Sequence, residues 1–247
     1  MKYSLEHLGL NANGLTIGHL NIQGINSKFD QLRILMHSNK IDIFGISETK
    51  LSDIHLTESF SLNGFHLPFR RDRNENRGGG ILVYVRDGLN CVRREDLESS
   101  DLENVWIEIK QPNSKSFLLC ILYRNPDARA CWKDTFETNV EKAQFEDKEI
   151  LILGDFNKDL KNERVKNEWI NYTTSLSLTQ MINTVTREFN GTQTLIDHIY
   201  SDNPHNIIRT SVPKIGLSDH YPIFCSRKIN YKDTKMNHNY IKYRSFK

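Results

Sequence analysis

The sequence predicts an α/β fold, a four-layer sandwich of two mixed sheets flanked by helices. Three observations predict it. The chain opens with an apolar run, an amphipathic segment and a second apolar run, the strand–helix–strand order of a parallel crossover. The middle carries β-runs separated by turn-rich or charged segments with no helical spacing, as antiparallel strands do. The last part alternates helical and β patterns again, and two packed sheets with helices outside them use every element.

Residues 15–21 are rich in branched side chains and form the first strand. Residues 28–39 place Phe29, Leu32, Leu35 and Met36 on one helical face. The dense apolar run 41–46 is a buried strand that ends at Glu48. The runs 80–85, 105–109 and 116–123 are expected to pair as one antiparallel meander. A helix over 132–144, a strand over 150–153 and a helix over 163–175 follow. Strands over 195–200, 207–212 and 223–226 complete the series.

Composition narrows the classes. The 247 residues are 38% hydrophobic and 26% charged, enough to bury a sizeable core. No apolar run is long enough to span a bilayer, and residues 1–14 show no pattern of a secretory signal. The cysteines Cys91, Cys120, Cys131 and Cys225 form no C-x-x-C pair, which argues against a zinc ribbon and for reduced thiols in a cytosolic or nuclear protein. Residues 226–247 carry a net charge of +6 against −4 for the rest. Such a basic end either contacts nucleic acid or is a solvated linker. The expected organisation is an N-terminal extension over 1–14, one domain over 15–228 and a basic tail or linker over 229–247.

Five polar clusters carry the chemistry, four of them at the ends of apolar runs: Leu20-Asn21-Ile22-Gln23, Ile46-Ser47-Glu48-Thr49, Gly154-Asp155-Phe156-Asn157, Leu195-Ile196-Asp197-His198 and Ser218-Asp219-His220. Strand ends that carry Asn, Glu, Asp and His bring metal ligands and proton-transfer groups to one rim. Glu48 is either an oxygen ligand for a hard divalent cation or part of a helix N-cap. Asp155 and Asn157 leave their strand through Gly154, either as a site pair or as an Asx turn. Asp197, inside a β-run, needs a partner, and His220 on a neighbouring strand end can supply it. Strand alternation turns His198 to the opposite face, away from that pair. Tyr123 ends a strand and either donates to a phosphate oxygen or caps the core. The basic, glycine-rich loop with Arg70, Arg71, Arg73 and Arg77 either cradles a polyanion or is solvated.

Taken in order, these motifs, together with Leu122-Tyr-Arg-Asn-Pro126, resemble the endonuclease/exonuclease/phosphatase superfamily over residues 15–226. Within it, Arg77-Gly-Gly-Gly-Ile81, Thr194-Leu-Ile-Asp-His-Ile199 and the ending at 240–247 look like the apurinic-type endonuclease domain of non-LTR (LINE-type) retrotransposons. The resemblance implies a Mg²⁺-dependent DNA endonuclease, with Mn²⁺ as a substitute ion. It would nick one strand of double-stranded DNA and leave a 3′-hydroxyl for target-primed reverse transcription. Glu48 would be the principal metal ligand, with Asn21 beside it and Asp219 as a further acid. Asp155 would align or deprotonate water, and Asn157 would help to hold it and the phosphate. Tyr123 would bond the scissile phosphate, as would His220, oriented by Asp197. Arg70, Arg71, Arg73, Arg77, Thr194 and Ser218 would contact DNA. The implied partners are DNA and a reverse transcriptase domain in the same polyprotein, acting in the nucleus and not at a membrane. The alternatives are an abasic-site repair enzyme or phosphoesterase of the same fold, or a catalytically dead nucleic-acid-binding module.

Overall fold

The computed structural model describes residues 14–38, 40–73, 78–110 and 115–229. In chain order the elements are β1 (Leu15–Asn21), α1 (Phe29–Ser38), β2 (Ile43–Ser47), β3 (Phe69–Arg71), β4 (Ile81–Val85), β5 (Asn90–Arg93), β6 (Glu103–Lys110), β7 (Phe117–Tyr123), α2 (Trp132–Gln144), β8 (Glu149–Asp155), α3 (Glu163–Ser175), β9 (Thr179–Gln180), β10 (Arg187–Phe189), β11 (Thr192–Thr194), β12 (Asp197–Ser201), β13 (Ile207–Ser211) and β14 (Ile223–Arg227). Two six-stranded sheets run β13-β14-β1-β2-β4-β3 and β5-β6-β7-β8-β12-β9, and β10-β11 form a separate hairpin. Both large sheets are mixed: β1 pairs parallel with β2 and antiparallel with β14, and β7 pairs parallel with β8 and antiparallel with β6.

Side-chain volume explains the layering. Leu32, Leu35 and Met36 of α1 pack with Leu20, Phe44 and Ile46 on the outer face of the first sheet. Trp132, Phe136 and Val140 of α2 and Trp169 of α3 join the core of the second sheet, where Phe156 meets both indoles edge-on at 6.1–6.5 Å. Between the sheets lie Ile17, Ile43, Val83, Ile121 and Leu153. This is the four-layer α/β sandwich of two mixed sheets that the sequence predicts. Period-two alternation carries the inner face to one end of the sandwich. Ile17, His19 and Asn21 follow one another along β1, Ile121 and Tyr123 along β7, and Leu153 and Asp155 along β8. On β12, Asp197 faces inward, while His198 turns outward to stack on Phe156 at 5.1 Å.

The expected meander splits between the two sheets. β4 pairs with β2 and β3, whereas β6 and β7 form an antiparallel set with β5. Apolar β-runs carry no label for the sheet they join, so spacing alone merged them. β3 and β5 lack the expected signal because they are short and partly solvated. β9, β10 and β11, of two or three residues each, also lack it, with no fully buried residue. All four cysteines are free thiols, as expected. Among the described residues no helix is long and apolar enough to cross a membrane.

Gly154 is the tightest point of the second sheet. It pairs with Leu122 and His198, and a methyl group on its Cα would run into the Leu122 carbonyl. Backbone cannot rotate away as a side chain can, so Gly154→Ala is expected to cost ~3 kcal/mol or more. A denaturation midpoint unchanged from wild type would contradict this.

Candidate active site

The inner-face residues at the ends of β1, β7, β8 and β12 meet where the two sheets face each other. Asn21 is fully buried, and its Nδ2 donates to Glu48 Oε1 and to Asp155 Oδ2, each at 2.8 Å. Its Oδ1 accepts from the Gln23 N–H at 3.1 Å, which fixes the orientation of the amide. One amide nitrogen therefore holds two carboxylates together. The family resemblance places Asn21 among the metal ligands, beside Glu48. In this arrangement the nitrogen faces the acids, and the residue spaces them.

The backbone that presents these groups is twisted. Gln23, Glu48, Lys50 and Asn157 all have left-handed φ values, between 48° and 55°. Non-glycine residues held there each cost of order 1–3 kcal/mol, and such residues cluster at functional sites. Hydrogen bonds from Gly24 and Ile25 to the carbonyls of Glu48 and Thr49, and from Thr49 and Lys50 to those of Gly80 and Gly79, hold the turn on both sides. Gly80 is needed there because any side chain would meet the Thr49 hydroxyl. The glycine run thus supports the Glu48 turn from behind.

The second half of the site is Asp155, Asp197 and His220, all buried, each offering a ligand atom within 4.8 Å of the others. Asp197 Oδ2 accepts from His220 Nδ1 at 2.9 Å. Burial opposes the His220 imidazolium, but the charge and hydrogen bond of Asp197, aided by Asp155 and Asp219, push its pKa up to about 9. The Asp197 carboxyl is held below its usual range, because His220 overcomes the burial penalty. Asp155 has no such partner: burial and the Asp197 charge push it up to about 7. Its Oδ1 accepts the Asn157 N–H at 2.9 Å, and Asn157 Nδ2 donates to the Arg124 carbonyl at 2.8 Å. The Tyr123 hydroxyl bonds Glu48, and burial together with the Glu48 and Asp155 charges raises its pKa far above the usual phenol value.

Asp219 Oδ2 is bound by Arg187 Nε at 2.8 Å, while its other oxygen is buried without a partner. It lies close enough to Lys28 for both Asp219 and Glu48 to act on that ammonium. Asp155, Asp197 and His220, with an unpartnered buried oxygen on Asp197, form a donor set that fits a divalent cation, and the Asn21 amide links Glu48 to Asp155 beside it. Such a charge would offset the repulsion that raises Asp155.

The residues expected to touch DNA fare differently. Arg70 is tied to Asp72, the carbonyls of Ser52 and His55 and the Thr57 hydroxyl. Arg71 binds Ser99, Asn104 and Glu98. Arg73 pairs with Glu103, and its guanidinium lies 5.6 Å from the Tyr123 ring centre. These arginines brace loops, because each meets carbonyls or carboxylates far along the chain that spacing could not reveal. Ser218 is also a brace, donating to the Asn21 carbonyl at 2.7 Å and accepting the His220 N–H at 3.1 Å. Thr194 faces Arg187 in the hairpin, with its hydroxyl unpartnered. Arg77 lies outside the described residues.

One residue escaped sequence reading. His19 is fully buried, with Nε2 at 3.0 Å from the Ser47 hydroxyl and Nδ1 at 4.0 Å from Asp197 Oδ1. Its signal was present: alternation puts it on the same face as Asn21. Burial lowers its pKa to about 4, so it is a neutral neighbour of Asp197.

Two facing mixed sheets thus carry a carboxylate–histidine cluster at their strand ends. Residues 18–220 match the model of the Endonuclease/Exonuclease/phosphatase family, and the chain belongs to that family. Its members are typically nucleases and phosphatases. Solved structures share the fold. The endonuclease domain of TRAS1, a telomere-specific non-LTR retrotransposon, superposes with a TM-score of 0.67 at 15% identity, covering 87% of this chain and 98% of that one. The Xenopus laevis APE2 catalytic domain gives 0.66 at 16%, covering 87% and 92%. The Bacteroides thetaiotaomicron mannosyl-6-phosphatase Bt3783 gives 0.62 at 16%, covering 86% and 98%. No curated protein matches the sequence significantly.

Proposed function

We propose that this chain is a Mg²⁺-dependent DNA endonuclease that nicks one strand of double-stranded target DNA and leaves a 3′-hydroxyl to prime reverse transcription. The observation that carries the reading is the meeting of Asp155, Asp197 and His220 within 4.8 Å, with His220 bonded to Asp197 at 2.9 Å and Asp155 joined to Glu48 through the Asn21 amide. Glu48, with Asp219 nearby, would hold Mg²⁺, or Mn²⁺ in its place, and the chemistry supplied there is neutralisation of charge gathering on the phosphate and the departing 3′-oxygen. Asp155 takes the proton of the attacking water, held in aim by the Asn157 N–H. His220 donates to a phosphate oxygen as an imidazolium. Tyr123 stays protonated and donates its hydroxyl to the same group.

The motif likeness to non-LTR retrotransposon endonucleases and the fold shared with one such domain support the retrotransposon setting. In that setting residues 15–228 are the nuclease and 229–247 a basic lead toward a reverse transcriptase, with the reaction in the nucleus. The test is supercoiled plasmid. Open circles should form in Mg²⁺ and not in EDTA, and a polymerase should extend the nicks. An enzyme inert on intact plasmid but fast on one containing an abasic site would move the assignment to repair. Hydrolysis of small phosphate esters alone would move it to the phosphatases.

A further inference from the structure

The basic side chains divide into two groups. Arg70, Arg71, Arg73, Arg93 and Arg94 are each paired with carboxylates. Arg124, Lys133 and Lys158 are not: among the described residues no carboxylate lies within 4.0 Å of any of them. These three share an aromatic base. The Arg124 guanidinium sits 5.4 Å from the Trp132 ring centre. Lys133 sits 4.8 Å from Tyr172 and 5.6 Å from Trp169. Lys158 sits 5.7 Å from Trp169, and the two indoles are 6.1 Å apart.

The strip is built onto the site. The Arg124 N–H donates to the Asp155 carbonyl, and the Arg124 carbonyl accepts from Asn157 Nδ2, both at 2.8 Å. Lys158 follows Asn157 directly. Burial lowers the Lys158 pKa, and the charges of Arg124 and Lys133 lower it further against a smaller effect from Glu168. The three cations disfavour one another, with Asp155 and Glu168 acting on Arg124 and Lys158 only from beyond ion-pair distance, and a polyanion relieves the crowding. The buried Arg124 Nε has no hydrogen-bond partner at all. Because cations cover the ring faces, bases cannot stack there, so the feature reads charge and not sequence.

We infer that Arg124, Lys133 and Lys158 form a phosphate-binding strip that grips the backbone of duplex DNA on the side of the scissile phosphate next to Asp155 and Asn157. This rests on the endonuclease reading. It replaces the Arg70–Arg73 loop, whose charges are neutralised inside the protein, as the basic face of the substrate channel.

The test is the salt dependence of binding of a fluorescent duplex in EDTA, together with nicking kinetics in Mg²⁺. Removing one phosphate-binding cation should reduce the slope of log K against log salt by about 0.9, so Lys133→Ala/Lys158→Ala should reduce it by about 2. KM for plasmid should rise severalfold with kcat little changed, and Lys133→Glu/Lys158→Glu should act more strongly in the same direction. Lys110→Ala is the control, since Lys110 ends β6 at the opposite edge from the Glu103–Tyr123 pair. Wild-type binding and nicking with an unchanged slope in the double variants would overturn the strip and leave the endonuclease reading intact. A reduced slope in a protein that binds but never nicks would uphold the strip and overturn the reading. A wild type that does not bind duplex DNA would overturn both.

Discussion

Asp155→Asn is expected to lower the nicking rate about 10²–10⁴-fold, the range for loss of a general base, and at the same time to gain stability relative to wild type as pH rises from 4 to 7. Both effects have one origin. The folded state raises the Asp155 pKa to about 7, first through burial and then through the charge of Asp197. That shift is what lets the carboxylate take a proton from water near neutral pH. It also means that folding disfavours the ionised form. The penalty is absent below the ordinary carboxylate value of 3.8, grows as pH rises, and is complete above about 7. The amide removes the charge and keeps the Asn157 contact to Oδ1, but its nitrogen then meets Asn21 Nδ2, a donor against a donor, and that loss is the same at every pH. The difference in melting temperature between Asp155→Asn and wild type in EDTA should therefore move in favour of the variant as pH rises from 4 to 7 and stay constant above 7. Retained activity would remove Asp155 from the base role. A difference that does not change between pH 4 and 7 would show that folding does not disfavour the Asp155 charge.

The residues of this site were partly legible in the sequence. Polar residues at the ends of apolar runs located Asn21, Glu48, Asp155 and Asp197, because alternation forces every second residue of β1, β8 and β12 onto the face between the sheets. The long elements were legible for the same reason: α2 and α3 begin and end where their apolar spacing does. What lay beyond reach was set by contacts distant along the chain. Gln23, Glu48 and Lys50 adopt left-handed backbone that no residue preference announces, since hydrogen bonds with the loop after β1 and with the glycine run impose it. Arg70 looks like a DNA contact in a string of arginines, and only the fold shows the Ser52 and His55 carbonyls waiting for it. Arg124 looks like a loop residue until the approach of Trp132 leaves its charge unpaired beside Asp155.

Asp197→Asn should move the alkaline limb of the activity profile down by two or more pH units. In the wild type, His220 keeps its proton up to about 9 because Asp197, with its charge and its 2.9 Å hydrogen bond, overcomes burial. The pair's stabilisation is complete below the ordinary histidine value of 6.5 and is lost as pH rises through about 9. Activity that needs the imidazolium should fall over the same window. Without the carboxylate charge, burial is the largest remaining influence, and it favours neutral imidazole. The variant should then lose activity above pH 6.5 or below, where Asp155 is not yet fully ionised, so its best rate should also fall well below that of wild type. His19 cannot take over, since it is neutral and its Nδ1 stands 4.0 Å from the other oxygen of Asp197. The two residues should act as a unit: Asp197→Ala/His220→Ala is expected to be about as slow as His220→Ala alone. Rate losses that multiply, or an alkaline limb that stays near 9 in Asp197→Asn, would mean that His220 is charged and placed by something other than Asp197.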